Sequence, residues 1–297
     1  MFDFRLKVFY AVAKRLNFTK AAEELFITQP AVTKHIHELE EHFNVRLFER
    51  RGNRTFLTEE GNTLLHHVNK LQQVYTEMEF DMNSLTSKQS GQLRLGASTT
   101  IAQYIISPLL ASFHKKYKDI HIHLVHGNTE QIELALQQKE IDLGMIEGHS
   151  KNRDIKYIPF LKDELVLVAS YNNVLATKSS ISVEELKKIP LLLREPGSGS
   201  LEVVVHALKQ KGIKLSQLNI EMQLGTTEGI ISYLKHSNCI AFLSIHSILM
   251  ELHQKTLRII DVKGLSIERP FYFIHLHGDT SSLPALFMRY ASQYNFR

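Results

Sequence analysis

The sequence predicts an α/β protein with a small, mostly helical head, and three observations predict it. Residues 17–57 (NFTKAAEELFITQPAVTKHIHELEEHFNVRLFERRGNRTFL) hold two short helical patterns, a tight turn and a basic hairpin. Leu64, Val68, Leu71, Tyr75, Met78, Met82 and Leu85 then step by 4, 3, 4, 3, 4 and 3, a heptad seam. From Gln92 onward strand-like and helix-like runs alternate, the pattern of parallel sheets with helical crossovers.

Composition narrows the classes. A chain of 297 residues, 43% hydrophobic and 22% charged, suits two or three compact units with sizeable cores. One cysteine excludes an internal disulfide framework and fits a reducing cytosol. No apolar run approaches the roughly 20 residues a membrane helix needs. The first 18 residues carry spaced charges where a signal peptide would be unbroken and apolar. A soluble cytoplasmic protein without a membrane partner is expected. The net charge of +4 is uneven. Residues 1–58 hold ten Lys/Arg against seven acids, a surplus of three, which leaves the remainder at +1. A basic head on a near-neutral body suits a polyanion.

In the head, Phe4, Val8, Ala11 and Val12 recur at helical spacing, so residues 4–15 form a first helix. Asn17 and Phe18 break it, and Thr19 is expected to cap a second helix with Ala21, Ala22 and Leu25 inward. Residues 26–28 turn, Thr28 caps a third helix, and Pro30 sits in its first turn, where a missing N–H costs nothing. Val32, Ile36, Leu39 and Phe43 form its buried face. Gln29, Thr33 and His37 share another face, with Pro30 and Lys34 beside them. Gln can pair with adenine and Lys with guanine or phosphate, so this face suits the major groove. Residues 45–48 and 55–57 read as strands around a Gly52-Asn53 turn carrying Arg50, Arg51 and Arg54. A plain solvated turn has no need of three arginines within five residues. The layout is a winged helix-turn-helix whose wing meets phosphates or a minor groove, with Lys20 and Thr28 as further DNA contacts.

From Phe18 to Gly61 the chain resembles the N-terminal domain of LysR-type transcriptional regulators. The matching segments are Ala21-Ala22, Thr28-Gln29-Pro30-Ala31-Val32-Thr33, Leu39-Glu40, Leu47-Phe48-Glu49-Arg50 and Leu57-Thr58-Glu59-Glu60-Gly61. Lys34-His35 stands where Arg-Gln is common, and Asn53 enters the wing.

Thr58 caps the next helix, with Glu59 and Glu60 in its first turn, where the helix dipole favours acids. About 30 residues of helix span roughly 45 Å, and so narrow an apolar stripe needs a partner. It reads as a homodimerisation helix, as the resemblance also implies, closed by a polar linker at residues 84–91. Beyond it, strands are expected at 93–97, 120–126, 141–147, 164–170, 191–194, 220–224, 239–243, 258–262 and 271–275. Helices are expected near 101–117, 129–139, 182–189, 201–211, 227–236, 245–253 and 283–294, with a capping box at Ser182/Glu185. Two similar runs suggest two lobes. The resemblance implies a two-lobe, periplasmic-binding-protein-like (type II) effector domain whose C-terminal segment returns to the first lobe. The expected organisation is therefore a head at 1–58, a linker helix at 59–90 and an effector domain at 91–297. Lobe 1 would comprise about 91–161 and 267–297, and lobe 2 about 162–266.

Ligands in such sheets sit beyond the carboxyl ends of strands. The loops there carry Ser98, Thr99, Thr100 and Ile101, then Thr129, then Glu147, and in the second lobe Arg194, Ser198, Ser200, Thr226 and Thr227. Hydroxyls and helix-start N–H groups suit a small anion. Any one of them could equally be a plain helix cap; the convergence of several favours an effector. The resemblance assigns Ser98 and Thr100 to first-lobe inducer contacts. The loop Arg194-Glu195-Pro196-Gly197-Ser198-Gly199-Ser200 is similar to the branch controlling sulfur assimilation or carbon fixation. His121/His123 and His275/His277 could mark a metal, although edge or surface histidines fit better where no Cys or carboxylate completes a cluster. Cys239 reads as a buried hydrophobe. No G-x-S-x-G, Walker or G-x-G-x-x-G motif is present, and no cofactor is expected. A solute-binding protein would need an export signal and no DNA-reading head, and an enzyme would need a catalytic constellation. The family expectation adds tetramers on an inverted-repeat operator, with RNA polymerase as a further candidate partner.

Overall fold

The computed structural model describes residues 3–51, 54–85, 90–148, 152–278 and 282–296. Two units separate, Met1–Ser87 and Lys88–Arg297.

The first unit runs α1 (Phe4–Arg15), α2 (Phe18–Leu25), α3 (Gln29–Phe43), β1 (Phe48–Arg51), β2 (Arg54–Leu57) and α4 (Glu59–Leu85). Val8, Phe9, Val12, Ala21, Ala22, Val32, Ile36, Leu39 and Leu47 form its core. Asn17, not Thr19, caps α2: its backbone is extended and its side chain accepts from Lys20 N–H at 3.0 Å. Thr28 caps α3 as expected, accepting from Ala31 N–H. The first wing strand starts at Phe48 rather than Val45. The preceding stretch is held by a side chain instead of a ladder. Glu40 accepts from Leu47 N–H at 2.8 Å and from Phe48 N–H at 3.4 Å. Thr58 donates its hydroxyl to Arg46 O at 2.6 Å and accepts from Gly61 N–H at 2.9 Å. A Cβ on Gly61 would lie 2.1 Å from Leu47 O, so only glycine fits there. The Gly52-Asn53 turn and residues 86–89 of the polar linker lie outside the described residues.

The heptad seam divides. Val68 is fully buried and Leu64 packs beside it in the head's own core. Leu71, Met78 and Met82 remain exposed, joined by Val74.

The second unit begins with β3 (Gly91–Ser98), α5 (Thr99–Tyr104), α6 (Ile106–Lys116), β4 (Ile120–Gly127), α7 (Thr129–Gln137) and β5 (Leu143–Glu147). There follow β6 (Ile155–Ser170), β7 (Ser180–Ile181), α8 (Val183–Leu186), β8 (Leu191–Arg194), α9 (Gly199–Gln210) and β9 (Ile220–Leu224). It ends with α10 (Thr227–Leu234), β10 (Ile240–Ser244), α11 (Leu249–His253), β11 (Leu257–Ile259), β12 (Asp261–Val262), β13 (Glu268–Leu276) and α12 (Ser282–Ser292). The order β4-β3-β5-β13-β6 makes one half-sheet, and β6 continues into a second with β10, β8 and β9.

Two strands depart from the expected all-parallel pattern. β13 runs antiparallel to β5 and β6, and β6 antiparallel to β10. β6 is also 16 residues long. Its first half was masked in sequence by Pro159 and by charges at Lys156, Lys162 and Asp163; the ladder accommodates them beside a register shift at Phe271/Tyr272. The single helix expected at 101–117 is two, because the Pro108 ring is incompatible with a continuous helix through Tyr104. The strand expected at 258–262 is likewise two short ones. The capping box of Ser182 and Glu185 is present.

Candidate functional site

The face of the head expected to read DNA is open. Lys20, Thr28, Gln29, Pro30, Thr33, Lys34, His37 and Arg50 are all exposed. Gln29 Nε2 donates to Thr33 Oγ1 at 3.0 Å, and that hydroxyl donates to Gln29 O. Lys34 faces Glu38 at 3.9 Å and His37 faces Glu41 at 3.1 Å, exposed pairs that a phosphate can outcompete. The Arg50 guanidinium lies 6.0 Å from the Phe18 ring centroid. Arg51 and Arg54 face each other across the hairpin register, in strands rather than at a tip; their side chains lie outside the described residues. Two features escaped the sequence reading. Phe26, in the turn before α3, is 95% exposed with a left-handed backbone. Glu40 pins the wing to the recognition helix, a role the paired Leu39-Glu40 gave no sign of.

In the second unit, Ser98, Glu147 and Arg194 end the parallel strands β3, β5 and β8. Thr99, Thr129, Ser200 and Thr227 open the helices that follow the strands. Ser98, Thr99, Thr100, Ile101, Thr129, Glu147, Arg194, Ser198, Ser200 and Thr227 are all buried. Thr226 alone is exposed, and it is a plain cap, accepting from Gly229 N–H at 3.0 Å. Ser98 and Ser198 occupy cap positions without making a side-chain cap bond. Their hydroxyls are therefore not accounted for by capping.

The rest of the cleft is cross-linked between its two sides. Glu147 accepts from Ser98 Oγ and, at 3.2 Å, from Ser200 Oγ. Thr129 Oγ1 donates to Glu147 O at 2.8 Å. Arg194 donates to Glu195, Thr227 Oγ1 and Thr99 Oγ1, so its charge is spent largely on its neighbours. Tyr104 donates to Glu228 at 2.7 Å; burial, with that carboxylate second, pushes its phenol up. Beneath lies a cluster not anticipated from sequence. Arg269 donates from Nε to Asp163 at 2.7 Å and from Nη1 to Ser200 Oγ at 2.9 Å, and Ser244 donates to Asp163 at 2.6 Å. Its signal was available: Arg269 shares the inward face of β13 with Phe271 and Phe273. Between α7 and α9 lies a cavity of about 500 Å³ that includes Thr129, Ser198, Glu130, Glu133 and Glu202. Burial lifts the Glu133 carboxyl above its ordinary range, Glu202 and Glu130 add to the lift, and the Tyr157 hydroxyl opposes it.

Among the described residues no group of three or more His, Cys, Asp or Glu could hold a metal ion. His121 and His123 are exposed on β4, at the end of the strand order, and His277 is exposed. His275 is instead a core residue, 3% exposed, with Nδ1 against Leu276 O. Cys239 is buried. No helix among the described residues is long and apolar enough to cross a membrane.

Fold and site define a DNA-binding head joined to a two-lobe ligand-binding domain. Residues 4–62 match the bacterial regulatory helix-turn-helix protein, lysR family, and residues 86–294 match the LysR substrate binding domain. The chain belongs to the LysR family of DNA-binding transcriptional regulators, which are not enzymes. It is 31% identical to the HTH-type transcriptional regulator CysL of Bacillus subtilis, over 91% of this chain and 89% of that one. It is 29% identical to the RuBisCO operon transcriptional regulator of Allochromatium vinosum, over 92% and 89%. The latter fits the carbon-fixation side of the branch expected from the 194–200 loop. The regulatory domain of Synechocystis CcmR, solved in complex with 2-PG, is 30% identical with a TM-score of 0.62, covering 68% of this chain and 95% of that one.

Proposed function

We propose that a small anionic effector binds in the cleft between the lobes and that its binding resets how two copies of the head engage an inverted-repeat operator. One observation carries this reading: two buried hydroxyls, Ser98 at the end of β3 and Ser200 at the start of α9, converge on one carboxylate from the two sides of the cleft, and Ser98 and Ser198 are not spent on capping. The contacts are Ser98, Thr99, Thr100, Thr129, Arg194, Ser198, Ser200 and Thr227, with Ile101 as an apolar wall. Thr226, exposed and committed to its own helix, drops out of the set. 2-PG, held by a relative, is the first compound to try. The effector acts only if it binds one arrangement of the lobes better than another.

On DNA, α3 enters the major groove through Gln29, Pro30, Thr33 and Lys34, with His37 further along. Lys20, Thr28 and the wing arginines Arg50, Arg51 and Arg54 hold phosphates or the minor groove. The exposed stripe Leu71, Val74, Met78 and Met82 supports a homodimer through α4, because four such side chains in water need a partner. Tetramers, contact with RNA polymerase and a cytoplasmic location belong to the same proposal. Hinges fall on β6 near residue 162 and before β13. The test is a dose–response curve for effector-dependent footprinting. Ser98→Ala with Thr100→Ala abolishes the response, and an unaltered curve would overturn the cleft assignment. Gln29→Ala or Lys34→Ala removes operator selectivity, and an unchanged footprint would overturn the major-groove role.

A further inference from the structure

Two of the cleft hydroxyls, Ser98 and Ser200, are already engaged by a carboxylate of the protein itself. Glu147 is 2% exposed at the end of β5. It accepts the Ser98 hydroxyl from lobe 1 and the Ser200 hydroxyl from lobe 2, and its Oε1 lies 3.7 Å from Arg269 Nη1. Arg269, 2% exposed, donates to Asp163 and to Ser200, while its Nη2 is buried with no hydrogen-bond partner among the described residues. Ser198 Oγ, at the cap of α9, is in the same condition. A buried guanidinium with an unfilled N–H pair is costly in isolation, and its natural complement is an oxyanion that takes two parallel bonds. The start of α9, a helix of 12 residues, adds its dipole on the same side, since Ser200 is in its first turn and touches Arg269.

We infer that Ser98, Ser200 and Arg269 form an oxyanion seat, that Glu147 fills it as an internal stand-in, and that a carboxylate, phosphate or sulfate group of the effector docks by displacing the Glu147 side chain. This rests on the effector-cleft reading above and adds to it a residue, Arg269, and a competition. In the free protein Glu147 ties lobe 1 to lobe 2 through Ser98 and Ser200. When an oxyanion takes those donors, the tie runs through the ligand, and the Glu147 side chain, a like charge, must leave. The protein's own carboxylate therefore sets how much effector is needed.

The probes are inorganic sulfate, inorganic phosphate and acetate, titrated calorimetrically into the full chain at constant ionic strength. Glu147→Gln keeps the shape and removes the competing charge, and it binds at least one of these anions about tenfold more tightly than the natural sequence. The arm with the largest gain tells a carboxylate from a tetrahedral anion. Adding Arg269→Lys, or Ser200→Ala should the lysine variant not fold, cancels the gain. Equal or weaker binding by a folded Glu147→Gln protein overturns the inference. So does a gain that survives loss of Ser200 and Arg269, or no binding of any of the anions by either protein. If the Ser98/Thr100 variant loses its response while Glu147→Gln gains nothing, the cleft stands and the stand-in falls.

Discussion

Gly199→Ala tests how closely the two lobes meet. Gly199 is the first residue of α9, on lobe 2. A Cβ there would lie 1.9 Å from Glu147 O and 2.5 Å from Thr129 Oγ1, both on lobe 1. Ordinary contact begins at 3.4 Å, so the two sides must part by about 1.5 Å. The nearest obstacle is strand backbone, which cannot rotate away as a side chain can. Overpacking of this kind costs about 1–3 kcal/mol. Alanine's better helix propensity returns at most about 1 kcal/mol. At the first helical residue little of that interior gain applies, so the net destabilisation stays at about 1–3 kcal/mol and lowers Tm by about 2–12 °C in a domain of this size. Parting the two sides also stretches the Ser200–Glu147 bond. Calorimetric melting of the full chain measures the destabilisation. Gly225→Ala, with nothing within 4 Å of the added Cβ, is the control and should melt near the natural temperature. A Gly199→Ala protein that melts no lower than the control would refute the reasoning.

Three other outcomes follow from the same structure. Glu40→Ala removes an acceptor from two backbone N–H groups, one of them on the buried Leu47, and should cost about 2–3 kcal/mol. Operator affinity falls with it because the wing is released; undiminished melting and binding would contradict that role. Glu133→Gln should stabilise at neutral pH and not in acid. Burial raises this carboxyl above its ordinary 4.5, so the folded state disfavours its ionised form. Stability is then greatest below the unfolded value and is lost as pH rises through the folded one. Denaturation at about pH 7.5 and about pH 4.5 should give a gain at the first and almost none at the second, and the reverse order would sink the assignment. Phe26→Asn should raise stability by about 1 kcal/mol, because asparagine tolerates the left-handed backbone that phenylalanine holds against its Cβ, and the ring is 95% exposed. A lower melting temperature would mean that the ring packs against something.

Legibility from sequence followed the range of the interaction. The faces of α3 (apart from Phe43, expected inward and 47% exposed at the helix end), the caps Thr28 and Thr58 and the Ser182/Glu185 box were readable because each depends on residues within one or two turns. The seam of α4 was readable in period but not in use. Val68 and Leu64 answer to the head's own core, and only tertiary packing could tell them from Leu71 and Met78. The strand-end hydroxyls were recognised one by one as candidates, yet what separates Thr226 from Ser98 is where the other lobe's atoms lie. Asp163, Ser244 and Arg269 were missed because their partners lie 81 and 106 residues apart; the one local sign was the place of Arg269 on the inward face of β13, which names no partner.

By itself the sequence determined the reader, the order of elements and the family, because periodicity, capping and turn chemistry act at short range. Tertiary structure decided that β6 runs through both half-sheets and that β13 returns antiparallel to it in the first. It also decided that Glu147 rather than solvent faces the cleft donors, and that Gly199 and Gly61 have no room for a side chain. Those outcomes turn on distances between segments far apart in the chain, which pattern and spacing do not encode.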